Sequence, residues 1–478
     1  MINKDHITDN DGITNFDELE GKKVRKTSLS RKSNLLEMEG VNYEVQDVDK
    51  PNLFREFFEY VEVPKVGFNF RTSPYDMPEE ILITDSTFRD GQQSREPYTT
   101  KQIVDIFKLI SRLSGPKGII RQTEFFTYSD RDKEAIHACQ DLGLEFPQIT
   151  TWIRAKKEDF KIVKEMGVKE TGILTSCSDY HIFYKLGMTR KQAMEHYLSV
   201  VYDAFEAGIM PRCHLEDITR ADFYGFVVPF VRAVQEMADE AGMPAKIRLC
   251  DTMGFGVPYP GVAMPRSVAG IIYGLKQYAG VPSEMLEWHG HNDFYKAVVN
   301  AATAWLYGCG AVNCTIFGIG ERTGNIPTEA MVFEYAQLKG TLNGMDTTAI
   351  TELARFYEHQ IGYTLPAQTP FAGANFNVTR AGIHADGLLK NEEIYNIFDT
   401  GKFLDRPPLV NINQNSGAAG VAHWLNASYG LKGDKQVDKH SPVVKYVKEW
   451  IDSEYASGRV AEIGASEIYN KVNEFTQQ

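Results

Sequence analysis

Two histidines one residue apart, His289 and His291, close the apolar segment Leu286-Glu287-Trp288. Alternate residues of a strand share a face, so both imidazoles can address one cation. A third ligand is offered by Asp90, within Asp85-Ser86-Thr87-Phe88-Arg89-Asp90-Gly91-Gln92-Gln93. One carboxylate and two imidazoles suit a divalent Zn, Mn, Fe or Co ion with positions left open for substrate. Asn325, at the end of Gly318-Ile319-Gly320-Glu321-Arg322-Thr323-Gly324-Asn325, could reach the same ion through its side-chain oxygen. Arg89, next to the carboxylate, would stabilise negative charge developing on an oxygen that the ion polarises.

These groups need a scaffold that brings distant segments together. From residue 80 onward short β-branched apolar runs recur: Ile81–Thr84, Gly118–Thr123, Gln148–Trp152, Thr171–Leu174, Met210–His214, Ile247–Cys250, Met285–Trp288 and Val312–Ile316. Helical periodicity fills intervals such as Thr100–Leu113, Arg190–Ala207, Ala221–Ala241 and Tyr295–Tyr307. The alternation predicts an α/β fold, a (β/α)8 TIM barrel. A doubly wound sheet is disfavoured because no glycine-rich dinucleotide loop follows the first strand. Catalytic groups of such barrels sit at the carboxyl ends of the strands. Each predicted strand end offers a polar or ionisable group: Asp90 after the first, then Glu124, Arg154, Ser176, Glu216, Thr252, the His289/His291 pair and Asn325. Glu124 and Glu216 are read as ligand orienters, acid/base groups or partners of barrel arginines.

Residues 1–79 read as an N-terminal extension, partly flexible, with a basic run from Gly21 to Lys32 and with Phe54, Phe57 and Phe58 at helical spacing. Residues 80–345 form the catalytic barrel, and 346–478 read as mainly helical C-terminal subdomains, including Ser441–Ser453 and Ser466–Phe475. The 478 residues, 43% hydrophobic, suffice for a large core. The opening MINKDHITDN is polar, and no run of 18 apolar residues occurs, so neither a signal peptide nor a membrane partner is expected. A net charge of -13 argues against nucleic acid as a partner. The six cysteines are dispersed without a C-x-x-C pair, which excludes a disulfide framework. A cytoplasmic enzyme fits.

DSTFRDGQQ, HGHND and GIGERTGN, in that order and at barrel-like spacing, resemble the three signatures of the DRE-TIM metallolyases. Ser176–Leu186, SCSDYHIFYKL, is similar to a segment of the members that perform Claisen condensations, as is AGIHADG at Ala381–Gly387. The resemblance covers roughly residues 80–425. Phe294-Tyr295-Lys296 departs from the family pattern by putting bulk where a glycine is usual.

The resemblance implies condensation of acetyl-CoA with a 2-oxo acid. Oxaloacetate, giving citrate and CoA, is favoured, with homocitrate, isopropylmalate or citramalate synthesis as the alternative. It implies a divalent ion, Mn2+ or Co2+ before Zn2+ or Mg2+, held by Asp90, His289, His291 and Asn325. Arg89, His384, Glu216 and Tyr395 are implied as catalytic. Gln93, Arg154, Thr252, Glu124 and Ser176 are implied as substrate-binding, Arg154 by a bidentate pair with a distal carboxylate. A homodimer with shared active sites is also implied, His384 entering the partner's barrel.

Overall fold

A computed structural model describes residues 27–30, 35–38, 43–380 and 382–477. The expected acidic stretch Met1–Glu20 and almost all of the basic run from Gly21 to Lys32 lie outside them. Chain contacts divide the protein into Met1–Met345 and Asp346–Gln478.

In the first unit eight parallel strands close a barrel in sequence order: β1 Leu82–Asp85, β2 Ile120–Phe125, β3 Gln148–Ile153, β4 Glu170–Leu174, β5 Met210–Glu216, β6 Lys246–Asp251, β7 Leu286–Gly290 and β8 Ala311–Cys314. Strand β8 pairs with both β7 and β1, which leaves no edge. A helix follows each strand: α1 Thr100–Ser114, α2 Asp130–Gln140, α3 Phe160–Glu165, α4 Arg190–Glu206, α5 Val228–Ala241, α6 Val268–Tyr278, α7 Ala297–Leu306 and α8 Thr328–Lys339. Helix α1 shows why these segments coil. Thr99 and Gln102 form a reciprocal capping box, and Ile103, Ile106, Phe107, Ile110 and Leu113 make one buried stripe. The expected helix Ala221–Ala241 instead begins as a π-helical turn, Phe223–Val227, because the Asp222 carboxylate accepts from Gly225 N and ties down its start.

The strands are less apolar than expected, and the difference is periodic. Ile83, Ile173, Leu215, Leu249, Trp288 and Val312 are wholly buried apolar positions. The residues between them are polar and bond across the barrel: Arg212 of β5 and Arg248 of β6 both donate to Glu124 of β2, and Lys246 of β6 donates to Gln122 of β2. The barrel interior is therefore filled by an ionic lattice, with the apolar faces turned to the helices.

Residues 43–79 strap the first unit. Gln46 O accepts from Arg190, Asn52 N donates to Asp179, and Pro64 O accepts from Arg266. The expected helical stretch around Phe54 does not form: Phe54 adopts a left-handed φ of 46°, the segment makes one turn, and only Phe58 is buried, against Phe255.

The second unit is mainly helical around its own core of Leu388, Val421, Leu425, Val447, Ile451 and Ile468. The expected terminal helices run Pro442–Ala456 and Ala465–Thr476. His423 is buried there, its Nδ1 has no hydrogen-bond partner among the described residues, and burial lowers its pKa to about 4. An unfolded histidine titrates near about 6.5. Between those values the unfolded chain binds a proton that the folded chain refuses, so stability falls as pH drops from about 6.5 towards 4, by at most about 3 kcal/mol. Urea unfolding at pH 7 and pH 5 should show that loss in the parent protein and a smaller one in His423→Leu; equal losses would remove His423 as the cause.

Candidate active site and metal centre

Strand β1 ends in a turn that fixes the first ligand candidate. Thr87 donates to the Asp85 carboxylate through its backbone N and its hydroxyl, and Arg89 N donates to Ser86 O. Phe88 is buried against Phe125, and Asp90 opens the one-turn helix Asp90–Gln93. Across the barrel mouth, His289 lies on β7, and His291 forms an isolated bridge with Asn325.

Asp90, His289 and His291 are all buried, and one ligand atom from each falls within 4.8 Å of the others. His289 Nε2 lies 3.1 Å from Asp90 Oδ2. Burial would raise the Asp90 carboxyl, but Arg89, both histidines and the Asn325 bond outweigh it and hold the pKa at about 2. Burial, with the His289 neighbour, lowers His291 to about 4, and burial also lowers His289. The set is thus one anion with two neutral imidazoles.

Two further observations fit a cation. Asn325 Nδ2 donates to Asp90 Oδ2 over 2.8 Å, whereas Asn325 Oδ1 and His291 Nδ1 are buried with no partner among the described residues, a costly state that a bound ion would relieve. A Cβ on Gly320 would lie 2.0 Å from Asn325 Oδ1, so glycine is required where the loop folds over that side chain. Gly320→Ala should displace Asn325 and weaken Mn2+ binding by about tenfold or more, measured by calorimetric titration. Unchanged affinity would show that Asn325 takes no part in holding the ion.

Arg89 is clamped on two sides. Its Nε donates to Glu124 Oε1 over 2.6 Å and its Nη1 to Asp90 Oδ1 over 3.0 Å. Glu124 is 1% exposed and carries Arg89, Arg212 and Arg248 at once, which hold its pKa well below the carboxylate range despite burial. Of the three readings open for Glu124, the geometry favours the partner of barrel arginines, since three guanidinium groups converge on its two oxygens.

The other expected residues fall into separate groups. Glu216 collects Ser176 Oγ, His181 Nδ1 at 3.1 Å and Lys185 Nζ at 3.0 Å; burial alone would raise its pKa, but these partners bring it to about 2. Thr252 Oγ1 accepts from Asp217 N, and Thr252 O accepts from Arg322. Arg154 forks onto Asp159 through Nε and Nη2, both at 3.1 Å, and lies over the Tyr128 ring. The fork expected to meet a substrate carboxylate is thereby occupied within the protein. Gln93 is exposed at the end of its helix, while Gln92 is buried and bonds Phe88 O and Tyr98 N. In the second unit the His384 and Tyr395 rings lie 4.4 Å apart, and a Cβ on Gly387 would lie 2.6 Å from Tyr395.

Residues outside the expected set are also built into the site. His181 and Lys185 stand in the Ser176–Leu186 segment and were accessible from its spacing. Arg322, paired with Asp293, stands in the Gly318–Asn325 segment and was accessible in the same way, whereas Asn313, paired with His289, carried no such signal.

A parallel eight-stranded barrel that gathers a carboxylate and two imidazoles at the carboxyl ends of its strands defines a divalent-metal enzyme scaffold. The chain belongs to the HMGL-like family, whose model matches residues 80–356. It is 57% identical over 433 residues to a citrate (Re)-synthase of Syntrophus aciditrophicus, covering 91% of this chain and 69% of that one. It is 56% identical over 427 residues to a citrate (Re)-synthase of Clostridium kluyveri, covering 89% and 94%. A 2-phosphinomethylmalate synthase of Streptomyces hygroscopicus is 37% identical over 431 residues, covering 89% and 96%.

Proposed function

We propose that the chain is an acyltransferase that condenses acetyl-CoA with oxaloacetate and water, giving citrate and CoA. The observation that carries this reading is the 56–57% identity to two citrate (Re)-synthases across nine-tenths of the chain, against 28–30% to isopropylmalate and homocitrate synthases. A divalent cation, Mn2+ or Co2+ by preference, would be held by Asp90, His289, His291 and Asn325 Oδ1, and supplies Lewis acidity to the keto oxygen of the oxo acid.

The chain's own groups do the rest. His384, packed on Tyr395, takes a methyl proton from acetyl-CoA. The carbanion pair forms the new bond to the keto carbon, whose π electrons move onto oxygen, and that oxygen then takes up a proton, balancing the one His384 removed, to become the product hydroxyl. Arg89 meets that oxygen with Nη2, which has no partner among the described residues, while Glu124 and Asp90 keep the guanidinium from turning. Thr252 and Gln93 hydrogen-bond the acid, and Glu216 with Ser176, His181 and Lys185 forms a polar wall for the acyl group. Water then cleaves the thioester, leaving a carboxylate on the product and a thiol on CoA. Arg154 holds the distal carboxylate only by exchanging Asp159 for it.

The protein works as a homodimer in which His384 acts in the partner subunit's site. Six unpaired cysteines, all buried, support a cytoplasmic setting; no helix among the described residues is long and apolar enough to cross a membrane.

Thiol release from acetyl-CoA, followed without oxygen in the presence of Mn2+, tests the reaction. Release with oxaloacetate, lost on chelation, is expected; preference for 2-oxoglutarate, 2-oxoisovalerate or pyruvate would move the chain to a sister synthase. Mixing inactive Arg89→Gln and His384→Ala proteins tests the shared site. Up to a quarter of the parent rate should return, since half of the randomly mixed dimers are hybrids and each hybrid has one intact site of its two. No recovery in verified mixed dimers would confine both groups to one chain.

A further inference from the structure

We infer that Asn313, set by Thr84 and Glu287, is the positioning residue that turns His289 Nε2 towards the cation. The inference rests on the metal reading above and extends it to residues on three strands that touch neither ion nor substrate.

Both oxygens of Glu287 take a nitrogen of Arg248, at 2.7 and 3.2 Å, so this carboxylate is ionised and can only accept. The Thr84 hydroxyl bonds Glu287 and must therefore be the donor. Its lone pairs then face Asn313, whose amide nitrogen donates to Thr84 Oγ1 over 2.9 Å. That choice places Asn313 Oδ1 against His289 Nδ1 at 2.8 Å, with the Ser86 hydroxyl donating to the same oxygen over 2.9 Å. An oxygen there selects the tautomer with hydrogen on Nδ1. The Nε2 lone pair is left facing Asp90 Oδ2, two acceptors 3.1 Å apart that a shared cation would reconcile.

Each link is buried: Thr84 is 4% exposed, Glu287 2%, and Asn313 and Ser86 not at all. Water cannot substitute for a lost partner. Reversing the Asn313 amide would aim a donor at Nδ1 and favour the other tautomer, which occupies Nε2 with a proton. Thr84 is thus the element that prevents reversal, although two hydrogen bonds separate it from the imidazole Nδ1.

Mn2+ affinity, measured by electron paramagnetic resonance of the free ion, tests this without any assay of turnover. Thr84→Val keeps the shape and removes the hydroxyl; it should bind Mn2+ about tenfold more weakly than the parent chain, and Thr84→Ser within about twofold of it. Asn313→Ala should lose at least as much. Parent-like binding by Thr84→Val would overturn the relay, as would equal losses in the valine and serine variants, which would indicate packing. Absence of Mn2+ binding by the parent chain would instead sink the metal reading itself. Thermal melting of each apo variant guards the comparison, and 15N spectra of the His289 ring should shift from the Nδ1–H towards the Nε2–H tautomer in Thr84→Val.

Discussion

His291→Ala is expected to remove metal-dependent condensation almost entirely while leaving the barrel folded. The imidazole is buried, neutral and without a partner at Nδ1 among the described residues, so its loss takes a proposed ligand from the site and breaks no hydrogen bond of that nitrogen. If polarisation of the keto group contributes several kcal/mol, the turnover should drop by about 10³-fold or more. Initial rates at saturating Mn2+, with far-ultraviolet circular dichroism melting as the control for folding, decide it. A variant retaining a tenth of the parent rate would exclude His291 from the reacting centre.

The second large effect concerns stability. Glu124→Gln should destabilise the protein by about 3–5 kcal/mol, because Arg89, Arg212 and Arg248 lose their common counter-charge in a site that water does not reach. The amide keeps the size but presents a donor to guanidinium groups that only donate. Denaturant unfolding at pH 7 measures the difference. A loss below about 1 kcal/mol would mean that the arginines find other acceptors, and the clamp on Arg89 would need another explanation. Activity should fall with it, since Arg89 depends on Glu124 for its orientation.

The strand rhythm and the strand-end polar groups were legible because they are local: an apolar run announces a strand, and the residue after it sits at the barrel mouth. Asp90, His289 and His291 followed from that rule, and the structure brings them together. What sequence reading missed has a common cause. Treating Met210–His214 or Ile247–Cys250 as apolar runs averages over a period of two, in which Arg212, His214 and Arg248 alternate with Cys213, Ile247 and Leu249. The polar series points inward and bonds partners remote in sequence, as Glu124 does with Arg248, and spacing carries no trace of such pairs. Arg154 offered a free guanidinium on paper, and only the folded loop shows Asp159 closing on it. The Phe54–Phe58 pattern pointed to an arm packed on the main body, and Phe58 does pack on Phe255, but in a turn and not a helix, because one ring alone finds a pocket.

Within the barrel, the cations Arg89, Arg212, Arg248 and Lys246 face the carboxylates Asp90, Glu124, Glu170 and Glu287, while burial keeps His214 neutral. Such a balance constrains how the fold can be altered. Exchange of any one member passes through an orphaned charge, so tolerated changes must arrive as compensating pairs, and single and double replacements should be strongly non-additive. Helices and loops outside can drift one residue at a time; the inside of this barrel has to be rewritten two letters at once.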